Sequence, residues 1–449
     1  MSIPDVAAPY WKSNSQGELM AGGLTISSIV ARHGTPVFVY DRAILEQKLS
    51  ALRSALPSRF AISYSAKANP NPAFLRFYVE NGCGLEIASA GEFHLAQSVG
   101  CLSENIVFAG PGKTEQELEL VIAQGIGEIH AESQLEIERI NAISEKLRVR
   151  TRVAIRVNPD EEGQGGAMRM GGKSAPFGID EEQLGPLFDC IADYPHIDFC
   201  GIHLFVGTQI LDCGLLIAQY EKGLEIFKRG TPHFNLSLHT LDFGGGLGIP
   251  YFAGESELDL GMLRDGLCQL MPIIGSENCF ANAKFMIEPG RFLVGEAGVY
   301  VARVNDIKVS RGKKYLILDG GMNHHLAASG NLGQVIKRNF PIAIVNKLDL
   351  APSETVEVVG PLCTPLDTLG RSVQLPAADV GDLVGIFHSG AYARTASPLS
   401  FLSHPTPPEV WIENEQDFLI RRRGSPEDYL RDLACAEAMS EPGSRKGDR

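Results

Sequence analysis

The sequence lacks several features that mark specialised classes of protein. Its nine cysteines are scattered and odd in number, and no two are spaced as CxxC, which argues against a zinc ribbon or a disulfide scaffold. No apolar run is long enough to cross a bilayer. The first residues, MSIPDVAAPYWKSNSQ, lack a basic segment followed by an apolar core, so we expect no secretory signal. We therefore expect a cytoplasmic protein with reduced thiols and no membrane partner.

Positive charge is also scarce. The chain has 40 Lys and Arg against 54 Asp and Glu, a formal net charge of −14. Because nucleic acid and anionic membranes attract basic surfaces, we expect neither as a partner. The sequence contains no internal repeat and no low-complexity segment. With 449 residues, 44% hydrophobic and 21% charged, it has the composition of an ordinary globular protein of roughly two to three domains.

One pattern recurs between about residue 60 and residue 290: a short apolar run followed by a longer amphipathic stretch. The runs are AISYSAK (61–67), GLEIAS (84–89), NIVFAG (105–110), EIHAES (128–133), TRVAIRVN (151–158), FCGIHLFV (199–206), HTLDFGGG (239–246) and KFMIEPG (284–290). One amphipathic stretch carries Thr114 and Glu117, the spacing of a capping box at a helix start. Eight strands alternating with helices predict an α/β fold with a closed (β/α)₈ TIM-like barrel; an open doubly wound sheet is the main alternative.

The pattern changes after residue 290, where strand-like runs follow one another with little helix between them. These runs are GVYVARVNDIKVS, KKYLILDGG, SETVEVVG, DLVGIFHSG and EVWIEN. They predict a second, β-rich domain, either a β-barrel or a sandwich. We assign residues 1–45 to an N-terminal segment that contributes to this domain, 46–292 to the barrel, 293–435 to the β-rich domain and 436–449 to a flexible tail.

Residues with reactive or unusual side chains fall at the ends of the predicted barrel strands. Function in a (β/α)₈ barrel gathers at the carboxyl ends of its strands. The residues found there are Lys67, Glu86, Arg156, Asn158, His203, Phe205, Gly244, Gly245, Gly246, Glu288 and Arg291. Their convergence on one end of the barrel indicates a candidate pocket.

The pocket contains the groups that a phosphorylated aldehyde cofactor requires. A lysine at the end of a buried strand is costly unless it is paired or neutral, so Lys67 is either a rim residue or a nucleophile. The triple glycine alone indicates a tight turn, but Arg291, a natural phosphate partner, follows the next strand. Lysine, phosphate cradle and the Glu288 carboxylate together indicate pyridoxal phosphate. An ion pair between Glu288 and Arg291 is the structural alternative.

Seven motifs match those of a known family. They are YSAKANP, LEIASAGE, FGID, LDFGGGLG, EPGR, GPLCTPLD and SGAY, and they extend over nearly the whole chain. Each motif alone is weak, but the set is specific. By these motifs the sequence resembles the fold-type III pyridoxal-phosphate decarboxylases, which include the diaminopimelate and ornithine decarboxylases. The resemblance implies a barrel with a β-domain, pyridoxal 5'-phosphate as cofactor, and removal of the α-carboxylate from an L-amino acid or a derivative.

The resemblance also implies roles for individual residues. Lys67 would bind the cofactor aldehyde covalently, and Glu288 would contact the pyridine nitrogen. The remaining cofactor-binding residues would be Glu86, Phe205, Thr208, Gly245, Gly246, Gly290, Arg291 and Tyr392. Cys363 and Asp367 would enter the active site from the other subunit of a homodimer.

The sequence departs from the family where the cofactor ring is stacked. Ornithine and diaminopimelate decarboxylases place a histidine two residues before a GS pair. Here GIHLFVGTQ places Phe205 at that position and Thr208 in place of the serine. Phenylalanine can stack on an aromatic ring, which leaves His203 as a neighbouring core residue.

A second departure concerns the substrate. In the family motifs CESGD and CDGLD, the acidic residue after the cysteine faces the distal ammonium of the substrate, whereas this chain has Thr364. We therefore favour an acylated or carrier-protein-tethered amino acid, such as a γ-glutamyl thioester. The segments DGGMNHHLAASGN and FLSHPTPPEV look like a branch that includes decarboxylases of carrier-bound glutamyl groups and siderophore intermediates, and enzymes near exosortase systems. Diaminopimelate or a citryl-diaminopropionate-like siderophore intermediate remain the alternative substrates.

Four residues are assigned to substrate binding: Thr364, Asp367, His324 and His325. The adjacent histidines raise the question of a metal ion. An adjacent pair on a loop cannot easily share one ion, and no further ligand set is visible, so we expect no metal.

Cys363 is the candidate donor of the proton that returns to the α-carbon, because a thiol near a cation can cycle at neutral pH. As a structural residue it would be a small buried hydrophobe. An amino-acid racemase is disfavoured because the racemases of this fold place an arginine at the pyridine nitrogen, where this chain has Glu288. A non-catalytic regulator that binds the cofactor is disfavoured because Lys67, Glu288, Cys363 and Asp367 are all retained.

Overall fold

The fold begins with short strands and a helix that lead into one longer strand. The computed structural model describes residues 3–160, 168–169, 174–205, 207–230, 239–281, 283–332, 334, 337–431 and 433. The first elements are β1 (Lys12–Ser13), β2 (Leu19–Ala21), β3 (Leu24–Thr25), α1 (Ile26–His33) and β4 (Val37–Asp41).

Eight parallel strands then form a closed barrel. In chain order the strands of this region are β5 (Phe60–Ser65), β6 (Gly84–Ile87), β7 (Ile106–Phe108), β8 (Glu128–Ala131), β9 (Thr151–Asn158), β10 (Met168–Arg169), β11 (Ile179–Asp180), β12 (Ile197–Leu204), β13 (Gly207–Thr208), β14 (Thr240–Asp242) and β15 (Lys284–Ile287). The barrel order is β5, β6, β7, β8, β9, β12, β14 and β15, and β15 pairs back with β5. The predicted barrel is therefore confirmed, and each of the eight predicted runs overlaps one of its strands.

Helices cover the outside of the barrel. They are α2 (Arg42–Ala55), α3 (Pro72–Glu80), α4 (Ala90–Ser98), α5 (Glu115–Ala123), α6 (Gln134–Leu147), α7 (Leu184–Asp189), α8 (Cys213–Gly230), α9 (Leu260–Ser276) and α10 (Arg291–Val294). Side-chain caps fix several of their starts: at α5, Thr114 and Glu117 form the predicted capping box. A barrel strand buried on both faces has no polar side to show, which explains why these strands read as continuous apolar runs.

The remaining strands build the β-rich domain around one long strand. They are β16 (Gly298–Ser310), β17 (Lys313–Leu318), β18 (Ile342–Ile344), β19 (Glu354–Val359), β20 (Thr368–Leu375), β21 (Leu383–Phe387), β22 (Glu409–Glu413) and β23 (Gln416–Arg421). β16 pairs with β17, with β21 and, antiparallel, with β4 from the start of the chain. The fold class predicted from the sequence, a TIM-like barrel plus a β-rich domain, is confirmed.

Aromatic residues join the two parts of the molecule. Tyr40 on β4 packs edge-on against Phe74 of α3, with ring centroids 4.9 Å apart. Phe74 packs edge-on against Trp411 on β22 at 5.2 Å. Buried aromatic pairs of this kind add specific geometry to apolar burial, so they set the position of the β-domain against the barrel. Nowhere in the described residues is a helix both long enough and apolar enough to span a membrane.

Candidate active site

Lys67 lies in a short turn at the carboxyl end of β5. A 3₁₀ turn, Ala66–Ala68, follows the strand directly. Tyr64 Oη donates to the carbonyl oxygen of Asn69 at 3.0 Å, and Asn69 Nδ2 donates to the carbonyl oxygen of Gly390 at 3.1 Å. The turn is thus tied both to the barrel and to the β-domain. The Lys67 side chain is 43% exposed, so its amine is accessible from the barrel mouth.

The carboxylate of Glu86 on β6 holds the Lys67 amine. Lys67 Nζ donates to both carboxylate oxygens, at 2.9 and 3.0 Å, and Ser65 Oγ donates to the same carboxylate. Burial lowers the pKa of Lys67, but the charges of Glu86 and Glu288 outweigh it and the net direction is upward. The lysine is therefore a paired cation at a fixed position. This pairing with Glu86 offsets the unfavourable free energy of placing a lysine at the end of a buried strand.

The three glycines after β14 form a loop that approaches its neighbours closely. Gly244 and Gly246 have φ values of +65° and +96°, in the region that favours glycine. A Cβ atom on Gly245 would lie 2.4 Å from the carbonyl oxygen of Glu288, and one on Gly244 would lie 3.0 Å from Cδ2 of Phe205. The loop therefore packs against the end of β15 and against the Phe205 ring.

The Phe205 ring faces two cations. Its centroid lies 6.0 Å from Lys67 Nζ and 5.8 Å from Cζ of Arg156. The Arg156 guanidinium lies 5.0 Å from the Phe177 ring and donates to Glu132 Oε1 at 2.6 Å. Arg156 is thus already paired, whereas Phe205 presents a flat apolar surface next to the lysine.

Glu288 follows β15 and lies between two histidines. Its Oε2 atom is 3.3 Å from His203 Nε2, and its Oε1 atom is 3.7 Å from His130 Nδ1. Glu288 is 5% exposed, and Oε1 has no hydrogen-bond partner among the described residues. No ion pair in the described part of the chain joins it to Arg291, the structural alternative that the sequence raised. Glu288 therefore keeps a free oxygen in the barrel core.

Arg291 combines an aromatic setting with an unpaired N–H group. Its Nη1 donates to Tyr251 Oη at 2.9 Å, and its Cζ lies 4.7 Å from the centroid of the Tyr392 ring. Its Nε is buried and has no hydrogen-bond partner among the described residues. A Cβ atom on Gly290 would lie 3.0 Å from the Cβ of Ala68, so the EPGR segment passes against the lysine turn. A free guanidinium N–H three residues after Glu288, whose carbonyl oxygen the glycine loop approaches, is a donor suited to phosphate binding.

The two adjacent histidines of the β-domain are buried core residues. Tyr300 Oη lies 3.2 Å from His324 Nδ1, and Ser389 Oγ lies 2.9 Å from His325 Nε2. Burial lowers the pKa of both histidines to about 3, so both are neutral. Their rings serve different partners, and their assignment to substrate binding stays a prediction.

The GPLCTPLD loop is ordered by its aspartate. Asp367 Oδ1 accepts the N–H of Met322 at 2.6 Å, and Oδ2 accepts the N–H of Leu362 at 2.9 Å. Cys363 is exposed and Thr364 is half-buried. In the described part of the chain no hydrogen bond or ion pair joins this loop to Lys67. The roles that the sequence assigned to these three loop residues therefore stay predictions.

Residues 42–295, more than half of the chain, match the family described as pyridoxal-dependent decarboxylase, pyridoxal binding domain. The chain belongs to the pyridoxal-dependent decarboxylases. It is 37% identical over 408 residues to the L-glutamyl-[BtrI acyl-carrier protein] decarboxylase of Niallia circulans, covering 90% of this chain and 95% of that protein. The family resemblance read from the motifs is confirmed.

Two further relatives show how wide this similarity is. The chain is 30% identical to the 2-[(L-alanin-3-ylcarbamoyl)methyl]-2-hydroxybutanedioate decarboxylase of Staphylococcus aureus, over 85% of this chain and 94% of that protein. The crystal structure of diaminopimelate decarboxylase from M. jannaschii with L-lysine matches with a TM-score of 0.85 and 25% identity, over 96% of this chain and 99% of that one. The chain is a pyridoxal-phosphate-dependent amino-acid decarboxylase.

The site of this decarboxylase offers polar groups that fit pyridoxal phosphate. Arg291 Nε and Glu288 Oε1 are buried atoms without partners among the described residues, one a donor and one an acceptor. The Lys67 amine is accessible, and the loop at Gly245 leaves no room for a side chain. An unpaired guanidinium N–H suits the phosphate, and an unpaired carboxylate oxygen suits a protonated ring nitrogen.

Three residues of the decarboxylase site were not predicted from the sequence. His130 and Asp242 lie on β8 and β14 and reach the surroundings of Glu288, while Tyr251 lies in the loop that follows β14 and bonds Arg291. His130 lies inside the predicted run EIHAES, where a polar side chain in a buried strand is a signal that could have identified it. Tyr251 carries no such signal, because only the folded loop brings it to the guanidinium.

Replacing Gly245 with alanine should weaken cofactor binding by roughly tenfold or more, or about 1.4 kcal/mol. The added methyl group would meet the Glu288 carbonyl oxygen, and the loop would have to shift. The measurement is a titration of the apoprotein with pyridoxal phosphate, followed by absorbance. Gly185→Ala is the matched control, because a Cβ there meets nothing within 4 Å. Equal affinities in the two variants would show that the loop does not hold the cofactor.

Proposed function

We propose that this enzyme removes the α-carboxylate of an L-amino acid whose side chain is acylated or tethered to a carrier protein, as in a γ-glutamyl thioester. The observation that carries this proposal is Thr364, which stands where the diamine-specific relatives have an acidic residue. A buried ammonium without a counter-charge costs several kcal/mol, so a neutral residue there favours a substrate without a distal ammonium.

The contacts of the loop support the same reading. Thr364 Oγ1 accepts the N–H of Leu366 at 3.3 Å, and it carries no charge. Asp367, the next carboxylate along the loop, already accepts two backbone N–H groups within its own chain. Because both oxygens of Asp367 are already engaged with backbone N–H groups, it is a weaker counter-charge for a distal ammonium than an acidic residue at position 364 would be.

The similarity to the Niallia circulans enzyme, whose name specifies a carrier-bound glutamyl substrate, supports this choice. The Staphylococcus aureus relative, named for a 2-hydroxybutanedioate derivative, supports a siderophore-intermediate-like substrate as the second candidate. Diaminopimelate is the third, through the relatives named for it. We rank it lower because of Thr364.

The roles of the residues follow from their chemistry. Pyridoxal phosphate, when bound, supplies an electron sink for the pair released with the α-carboxylate. Lys67 is the amine that holds the cofactor aldehyde, and Glu86 keeps that amine in place. Glu288 would accept a hydrogen bond from the protonated ring nitrogen and keep that nitrogen protonated, and Phe205 would cover the ring face. Residues Gly245, Gly246, Gly290, Arg291, Tyr392 and Thr208 bind the phosphate end.

We further propose a homodimer in which Cys363 enters the site of the partner subunit and returns a proton to the α-carbon. Cys363 is exposed, and Leu366 on the same loop is 49% exposed. Both side chains are therefore available to contact a second subunit. A closed two-fold dimer would give and receive this loop twice.

The eight described cysteines are free thiols, which supports our prediction of a reducing, cytoplasmic location.

A screen of carbon-dioxide release tests the substrate proposal. The substrates are carrier-bound glutamate, citryl-diaminopropionate, and free diaminopimelate, ornithine, lysine and glutamate. We expect the acylated substrate to be turned over efficiently, and free ornithine and lysine to be poor by roughly a hundredfold in kcat/KM, the equivalent of about 2.7 kcal/mol. Thr364→Glu should improve the diamines if it changes them at all. Efficient turnover of either free diamine by the unmodified enzyme would refute the proposal.

A further inference from the structure

A compact group of buried titratable side chains lies in the barrel core around Glu288, and the proposed chemistry leaves most of it unexplained. The group consists of His130 on β8, His203 on β12, Asp242 on β14 and Glu288 after β15. One ring nitrogen or carboxylate oxygen can be chosen from each residue so that all four atoms lie within 4.8 Å of one another. The first three are at most 1% exposed. Buried polar groups at such density need complementary partners, so their protons must be arranged in one particular way.

His130 is the residue that faces carboxylates on both sides. Its Nε2 lies 3.2 Å from Glu128 Oε1 and 3.9 Å from Asp242 Oδ2. Its Nδ1 lies 3.7 Å from Glu288 Oε1. Ionised carboxylate oxygens only accept hydrogen bonds, and a neutral imidazole has one N–H, so it can serve only one side. Neither Nδ1 of His130 nor Oε1 of Glu288 has a hydrogen-bond partner among the described residues. At 3.7 Å these two atoms are too far apart for a hydrogen bond but close enough for an ion pair, which requires an imidazolium with a proton on each nitrogen.

The other histidine of the group does not compete for this role. His203 stacks on His130 with ring centroids 4.3 Å apart and an interplanar angle of 27°. Burial, with the charges of His130 and Arg156, holds the pKa of His203 well below its usual range. His203 is therefore a neutral imidazole beside Glu288 Oε2, and His130 is the histidine that can carry the positive charge.

The pKa values of the two neighbouring carboxyl groups, Glu128 and Asp242, are shifted in opposite directions. Burial raises the pKa of Glu128, but the hydrogen bond and charge of His130 outweigh it, with help from Thr240 and Cys200, and the net direction is downward. Burial and the charge of Glu288 raise the pKa of Asp242, so Asp242 retains its proton. Glu128 and Glu288 then lie on the two sides of His130. On the Glu128 side the group opens onto a cavity of about 430 Å³ at the opposite end of the barrel, which Arg152 also lines.

We propose that His130 is a positioning residue: doubly protonated between Glu128 and Glu288, it keeps the Glu288 carboxylate ionised and oriented toward the ring nitrogen of the cofactor. A buried carboxylate without a nearby cation takes up a proton, and a protonated Glu288 could no longer pair with a protonated ring nitrogen. This inference rests on the proposed role of Glu288 and adds the group that maintains it.

The test measures how the affinity of the apoprotein for pyridoxal phosphate depends on pH in the wild type, His130→Asn, Glu128→Gln and the double variant. Loss of the imidazolium should raise the dissociation constant about tenfold at neutral pH. It should also move the acidic loss of binding to higher pH, because Glu288 then takes up its proton more readily. A purely structural loss would lower affinity equally at every pH. Thermal unfolding and circular dichroism identify any variant that fails to fold.

Glu128→Gln keeps the test decisive if His130→Asn does not fold, since it weakens the same charge from the far side. We expect the two shifts to be non-additive in the double variant, because one acts through the other. Glu288→Gln, measured in parallel, should abolish the acidic loss of cofactor binding. If that variant still loses affinity at acidic pH as the wild type does, the proposed role of Glu288 fails. A different result would be that Glu288→Gln abolishes the acidic loss of binding while His130→Asn and Glu128→Gln keep the wild-type affinity and the wild-type pH dependence. That result would refute the role of His130 alone. Tight binding of zinc by the apoprotein would also overturn the proposal, by assigning the group to a metal ion.

Discussion

Lys67→Ala is expected to reduce decarboxylation by at least about three orders of magnitude while the protein remains folded. The amine at the end of β5 is accessible, and in the proposed mechanism it is the group that holds the cofactor aldehyde. Lys67→Arg keeps the positive charge beside Glu86 but cannot react with the aldehyde, so it should be as inactive as Lys67→Ala. This pair of variants separates the reactive amine from its charge.

The matched control for Lys67→Ala is Lys146→Ala. Lys146 is 64% exposed on α6, and among the described residues it pairs only with the surface residue Glu119, at 2.6 Å. Exposed pairs contribute little to stability, so Lys146→Ala should keep wild-type activity. Appreciable activity in Lys67→Arg would show that the covalent role belongs elsewhere.

Mixing two inactive homodimers should restore activity if the active sites are shared. Lys67→Ala and Cys363→Ala should each be crippled as homodimers. In a hybrid dimer one site carries both lesions and the other carries neither. With random exchange half of the dimers are hybrids and half of their sites are intact, so about a quarter of wild-type activity should return in a closed two-fold dimer.

The complementation requires that subunits exchange, which mass spectrometry of the mixture verifies. A mixture of Lys67→Ala with Lys67→Arg is the matched control, because every site then lacks the reactive lysine. Activity in that mixture should remain at the level of the homodimers. If hybrids form and Lys67→Ala with Cys363→Ala regains nothing, Cys363 acts within its own subunit or has no role in the reaction.

The barrel could be predicted from the sequence because its strands are buried on both faces. Each strand reads as a short apolar run, and several strands are followed by a capped helix, as at Thr114 and Glu117. The strand pairing of the β-rich domain is harder to predict from the sequence because it is not local. Strand β4, from the start of the chain, pairs with β16 more than 250 residues later. Short pairs such as β10 with β13 have too few residues to give a pattern.

Some residues of the candidate site could be predicted from the sequence, and others could not. Lys67, Glu86 and Glu288 stand at strand ends, where a charged residue after an apolar run is conspicuous in the sequence. Tyr251 is an ordinary loop residue until the fold brings its hydroxyl within 2.9 Å of Arg291. The arrangement of His130, His203 and Asp242 depends on distances between three different strands, which no spacing along the chain encodes.

The most direct test of the central assignment is reduction of the cofactor-loaded protein with borohydride, followed by peptide mass mapping. We predict a yellow protein whose absorption band is bleached and whose label is recovered on Lys67, since that amine holds the cofactor aldehyde. Recovery of the label on another lysine, such as Lys113 or Lys173, would contradict it.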